Sequence, residues 1–128
     1  MKKIAIITIV CMLAAACGHH LDDKEFICDM YEKTMYNDYA FLEQHCSKAL
    51  LEKLSEKYDY EGEGYAVWEF RSGEQDGPSD EHAIVCIEDE GNGWYRYTAI
   101  DMGITFTKRI RISHEGGGTV IEDIADVY

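Results

Sequence analysis

Five cysteines and five histidines have the widest chemical repertoire in this 128-residue sequence, and their spacing decides what they can do. No Cys-x-x-Cys occurs, so neither a dithiol redox centre nor a structural zinc site is indicated. His19 and His20 are adjacent on a polar stretch, whereas His45, His82 and His114 are widely separated and have no carboxylates at ligand spacing. Neither a metal nor a cofactor is therefore expected. No phosphate-cradling glycine loop and no Gly-x-Ser-x-Gly elbow appears, and Gly116-Gly117-Gly118 sits between strand-like runs as a hairpin turn. One constellation remains, Gln75-Asp76 in a long loop close in sequence to Arg71 and Trp68. Loops carry function disproportionately, and Asp76 either clamps this one to the sheet through Arg71 or offers its carboxylate to a ligand.

Cys17 carries a different chemistry. Lys2-Lys3, an apolar run over residues 4–16 broken only by Thr8, and small residues leading to Cys17 compose an export signal that ends in a lipid-attachment site. The run is too short to span a bilayer, which takes about 20 residues. Leu13-Ala14-Ala15-Ala16-Cys17 resembles the lipobox of bacterial lipoproteins, with Leu13 one place further from the cysteine than that family prefers. The resemblance implies a diacylglyceryl group on the Cys17 sulfur and a new N-terminus there. The expected organisation is a signal peptide over 1–16, a lipidated cysteine and flexible tether over 17–24, and a single domain over 25–128. A protein anchored in this way belongs to the cell envelope, since two acyl chains hold it to a membrane persistently. Gly18 stands where some enteric lipoproteins carry an inner-membrane retention aspartate, so by analogy the outer membrane is expected, facing the periplasm or the cell surface.

Twelve Lys and Arg stand against 25 Asp and Glu, a net charge of −13. Nucleic-acid binding needs a cationic footprint, and basic residues cluster only at Lys108, Arg109 and Arg111. No nucleic-acid partner is expected. Once Cys11 leaves with the signal and Cys17 takes lipid, Cys28, Cys46 and Cys86 remain. In an oxidising compartment one bridge is the arithmetic expectation, and Cys28 with Cys46, on neighbouring expected helices, is the pair.

Apolar residues at Ile27, Met30, Tyr31 and Thr34 or Met35 predict a helix over about 25–39, ending near Asn37-Asp38. Leu42, Cys46, Ala49, Leu50 and Leu54 form one stripe of a second helix ending near Tyr58. Beyond Gly62 and Gly64 the period changes to two, predicting strands over 65–70, 82–88, 94–101, 104–113 and 119–127. Lys108 interrupts the inner row of Ile104, Phe106, Ile110 and Ile112, and so either reaches an edge or enters a cavity. The expected fold is α+β, with N-terminal helices packed on one face of a curved antiparallel sheet of four to five strands.

The stretch Gly64-Tyr65-Ala66-Val67-Trp68-Glu69-Phe70-Arg71, the Gln75-Asp76 pair, Gly93-Trp94-Tyr95 and Asp101-Met102-Gly103 resemble small secreted bacterial lipoproteins of unknown function. These are placed in the nuclear-transport-factor-2-like (cystatin-like) fold, which implies a cone-shaped sheet that often encloses a pocket. Ketosteroid-isomerase-like members of that fold use a carboxylate base and hydrogen-bond donors in an apolar cavity. Asp38, Asp101, Tyr31 and Tyr36 are the residues of the required types here, and Trp68, Arg71, Gln75, Asp76 and Trp94 are the candidates for holding a ligand. No fixed spacing joins them, and nine tyrosines make any one of them unspecific. A non-catalytic domain that binds a small molecule or a protein is therefore the first reading. A small-molecule isomerase- or dehydratase-like enzyme is the alternative, and an acidic inhibitor or immunity protein is the third. In the first case, Trp68, Trp94 and Phe106 fill the cone. Replacing Cys17 by Ser is expected to release the protein from membranes, and a variant that stayed in the membrane fraction after a carbonate wash would refute the anchor.

Overall fold

The computed structural model describes residues 18–73 and 80–127. The expected signal, Cys17, Gln75 and Asp76 lie outside the described residues. Three α-helices, α1 (Gly18–Met35), α2 (Tyr39–His45) and α3 (Lys48–Lys57), precede a 3₁₀ helix (Glu63–Phe70). Four strands follow, β1 (His82–Gly91), β2 (Trp94–Asp101), β3 (Ile104–Glu115) and β4 (Gly118–Asp126), paired antiparallel in the order β1-β2-β3-β4. Burial alternates strictly along β2, with Tyr95, Tyr97, Ala99 and Asp101 inside. Ile84 and Ile87 of β1, Ile110 and Ile112 of β3, and Ile121 and Ile124 of β4 continue the same inner face. Ile27, Met30, Tyr31 and Met35 of α1, Leu42 of α2, and Leu50 and Leu54 of α3 cover it. Helices packed on one face of an antiparallel sheet make the expected α+β fold. No described helix is long and apolar enough to cross a membrane.

The helical half differs from the periodic reading in three places, each for a local reason. Helix α1 begins at Gly18, so the expected tether is helical where it is described. Its first turns dock through polar side chains that a search for apolar periodicity does not detect. Asp23 and Lys24 are both buried, and Asp23 accepts a 2.6 Å bond from the Tyr95 hydroxyl. The helix stops at Met35 because Asn37 adopts a left-handed φ of 60°, and Asp38 N–H closes back on the Lys33 carbonyl at 3.0 Å.

The single helix expected up to Tyr58 is broken at Cys46 and Ser47. Cys46 there forms a β-bridge to Ile121, and Ser47 N–H donates to the Ile121 carbonyl at 2.9 Å. Ser47 then restarts the chain by capping α3, its hydroxyl accepting from Leu50 N–H. Asp38 caps α2 in the same way, accepting from Phe41 N–H at 3.2 Å.

The expected first strand, 65–70, is the 3₁₀ helix, and this leaves the sheet with four strands. Its buried residues Ala66, Val67, Glu69 and Phe70 fall in pairs three apart, the period of a 3₁₀ turn. The propensity of Val67 and Trp68 for strand is overruled by burial. The buried Glu69 anchors the segment, accepting from the Tyr58 hydroxyl at 2.8 Å and standing 2.8 Å from Lys57 Nζ. Cys28, Cys46 and Cys86 are present as thiols, which corrects the expected Cys28–Cys46 bridge. Cys46 is drawn to β4, while Cys28 lies only partly buried on α1.

All three hairpins turn through two residues at positive φ: Asn92 and Gly93, Met102 and Gly103, and Gly116 and Gly117. Turns of this kind match the right-handed twist of the strands they join. Gly93 has a second constraint, since a Cβ there would lie 2.6 Å from the Ile112 carbonyl oxygen, whereas one at Gly91 would meet nothing within 4 Å. Both glycines have φ near +85°, at +84° and +88°. Gly91→Ala is expected to cost about 1–2 kcal/mol from the left-handed backbone alone. Gly93→Ala is expected to cost at least about 1 kcal/mol more in urea unfolding, since its clash is with backbone. Equal costs would show that the β1–β2 turn yields freely.

Candidate functional site

The inner end of β2 brings together four of the residues singled out from the sequence or adjoining them: Tyr31, Arg71, Asp101 and Ser72. The chain leaves the 3₁₀ helix at Arg71, whose side chain has no exposed surface, and Asp101 ends β2 equally buried. Arg71 Nε donates to Asp101 Oδ2 and Nη2 donates to Oδ1, both at 3.0 Å, a two-pronged pairing of planar groups. Ser72 adds its backbone N–H at 3.3 Å and its hydroxyl at 3.2 Å, both to Oδ2. Four donors therefore converge on one fully buried carboxylate, three of them on Oδ2.

Two buried tyrosines flank the pair. The Tyr31 hydroxyl donates to the Ile100 carbonyl at 2.8 Å and the Tyr97 hydroxyl to the Phe70 carbonyl at 2.9 Å. Burial, then the Asp101 carboxylate, drive the Tyr31 hydroxyl far above the ordinary tyrosine range, with Arg71 acting in the opposite sense. Tyr97 is raised in the same direction, again chiefly by burial. Both remain protonated and hold backbone carbonyls. With Phe106 they form a ring cluster, the centroids 6.0 Å (Tyr31–Phe106), 6.2 Å (Tyr31–Tyr97) and 6.3 Å (Tyr97–Phe106) apart. Aromatic packing of this kind fills the middle of the inner face.

The remaining candidates are dispersed. Asp38 serves as the cap of α2, and Tyr36 lies exposed with its ring edge-on to His82. Trp68 packs against Tyr58 and Tyr65 at the helical end. Trp94 lies on the outer face of the sheet, with Arg109 4.4 Å and Arg111 5.9 Å from its ring centre. Arg109 and Arg96 face one another across β2 and β3, and Glu90 reaches both, at 2.7 and 2.9 Å. Those hydrogen bonds, Arg109's first, hold the Glu90 carboxyl below its usual range. Lys108 reaches the sheet edge and pairs with Asp126. Of the three aromatics expected to fill the cone, Phe106 joins the inner-face cluster, Trp68 packs on the core from the 3₁₀ helix, and Trp94 lies outside.

His45, His82 and His114 tie helices to the sheet, a role that nothing in their spacing signalled. His45 contacts the Thr119 carbonyl at 3.1 Å and His82 contacts Glu32 at 2.9 Å. His114 Nε2 stands 2.8 Å from Asp23 Oδ1, close enough for charge attraction but outside hydrogen-bonding alignment. No group of three metal-ligating side chains gathers among the described residues. Burial alone pushes the Cys46 thiol up to about 12, so it is a packing group rather than a nucleophile.

No protein-family profile matches the chain, and no curated protein does. A solved structure is similar, a protein of unknown function from Bacteroides thetaiotaomicron VPI-5482. The match covers 77% of this chain and 85% of that one, with a TM-score of 0.62 and 14% sequence identity. A likeness at that identity shows the shared fold. Arg71→Met is expected to destabilise the protein by about 3–5 kcal/mol, because it strands a buried carboxylate. Combining it with Asp101→Leu should recover most of that loss in denaturant unfolding. A single variant costing under about 1 kcal/mol would show that the pair is not structural.

Proposed function

We propose that this chain is a lipid-anchored cell-envelope protein whose α+β domain acts by binding a partner rather than by catalysis. The anchor rests on the signal and Cys17. The non-catalytic reading rests on one observation: the best-placed carboxylate, Asp101, is buried and held by four bonds from Arg71 and Ser72. An acid-base enzyme of the isomerase or dehydratase type needs a carboxyl that can exchange a proton with a substrate in an open apolar pocket. Here the tyrosine hydroxyls beside it are committed to backbone carbonyls, and Phe106 packs against both rings. A nuclear-transport-factor-2-like relationship would accommodate this reading, because that fold serves binding domains as well as enzymes.

The test is a titration of the isotope-labelled protein with apolar small molecules, namely a sterol, a fatty acid and an aromatic ketone, followed by nuclear magnetic resonance. The signals of Tyr31, Tyr97 and Asp101 are expected to stay fixed up to millimolar concentration. Saturable shifts at those residues would overturn the proposal in favour of an internal small-molecule site.

A further inference from the structure

The connection between α3 and the 3₁₀ helix displays aromatic rings that the core does not use. Tyr60 is 97% exposed and Tyr65 43%. Tyr65 lies against the partly buried Trp68, their ring centroids 4.6 Å apart, so the two present one aromatic surface. Scattered exposed apolar side chains are ordinary, but these stand on a backbone that is held in place. Tyr58 N–H donates to the Leu54 carbonyl at 2.9 Å, Gly62 N–H to the Tyr58 carbonyl at 2.8 Å, and Tyr65 N–H to the Gly62 carbonyl at 3.0 Å. The Tyr58 hydroxyl, bonded to the buried Glu69, pins this turn to the core. Tyr60 thus stands at the tip of a bonded turn, and a partner that meets it need not order that backbone first.

The same turn is acidic. Glu56, Asp59, Glu61 and Glu63 are exposed and form no ion pair among the described residues. Lys57, the one cation between residues 56 and 65, is paired with Glu69 at 2.8 Å. Burial, then the Glu63 and Glu43 carboxylates, raises the Tyr39 hydroxyl above its ordinary value, so α2 shares in the same negative field. On the sheet, by contrast, Glu90, Asp123 and Asp126 each meet a cation.

We infer that the turn over residues 56–65 is a docking surface for an arginine-bearing segment of a partner protein. This rests on the binding-domain reading above and names the partner's chemistry. Tyr60 projects, so the partner supplies the hollow that receives it, and a rigid aromatic of this kind is the usual anchor of an interface. A guanidinium is the cation that fits beside it, because it stacks flat on an aromatic ring while its planar fork pairs with a carboxylate. Tyr65 and Trp68 supply the rings, and Glu61 and Glu63, on the chain beside them, the carboxylates. Nucleic acid and anionic lipid are repelled by the same charges.

The probe is a synthetic heptapeptide of glycine alternating with arginine, added to the purified, isotope-labelled full-length protein in uncharged detergent micelles. Saturable nuclear magnetic resonance shifts are expected at Tyr60, Tyr65 and Trp68, and the lysine analogue is expected to bind at least about threefold more weakly. Tyr60→Ala, at a side chain the fold does not bury, is expected to weaken the peptide at least about tenfold. Glu61→Gln combined with Glu63→Gln is expected to do the same. Glu88→Gln combined with Glu115→Gln removes equal charge from exposed positions on the sheet and is expected to leave affinity within about twofold. Equal losses in the two double variants would make net charge the cause and overturn the inference. So would binding that survives Tyr60→Ala, or no saturable shift up to millimolar peptide. Shifts at these rings produced by phosphatidylcholine vesicles and not by the peptide would also overturn it, because a choline headgroup would then be the occupant. These rings are separate from the Tyr31, Tyr97 and Asp101 signals on which the non-catalytic reading depends, so the two can fail independently.

Discussion

An arginine and an aspartate with no exposed surface hold the two halves of this protein together. Burying two opposite charges removes their hydration, and only close geometry with further hydrogen bonds offsets that loss. The geometry is met from both sides. The 3₁₀ helix delivers Arg71 and Ser72 from the helical half, and the end of β2 delivers Asp101 from the sheet. The pair also fixes the position of Phe70, whose carbonyl is taken by Tyr97, and of Ile100, whose carbonyl is taken by Tyr31. Remove the pair, and the two tyrosines lose the backbone that orients them.

The same arrangement is what supports the non-catalytic proposal. Catalysis by proton transfer requires a titrating group that is partly unsatisfied before substrate arrives. The groups at this site are satisfied in advance, by one another and by backbone carbonyls.

Strand periodicity was legible from Trp94 onward, because one face is buried and one wet and the turns carry Asn-Gly, Met-Gly and Gly-Gly. The apolar rows of the helices were legible for the same reason. What escaped the reading was set by single polar contacts. Asp23 and Lys24 extend α1 without contributing to a hydrophobic stripe, Ser47 divides a continuous stripe in two, and Glu69 draws a strand-like run into a 3₁₀ helix. At the candidate site, Arg71 and Asp101 were both recognisable as chemically interesting. Thirty residues separate them, and their mutual pairing has no sequence signature. The partner considered for Arg71, Asp76, lies outside the described residues, while Asp101 accepts from its Nε and Nη2.

The uninterrupted strand order has a consequence for how the chain is made. Each strand pairs with its sequence neighbours through a two-residue turn, so the sheet can assemble from local contacts alone. The helices come first in the chain, yet the surface that covers their apolar faces comes last. During synthesis or export from the N-terminus, Met30, Leu42 and Leu54 must wait for β2 and β3 to emerge. The nascent chain is thus a set of amphipathic helices whose sheet-facing side is still uncovered, the kind of species that chaperones hold.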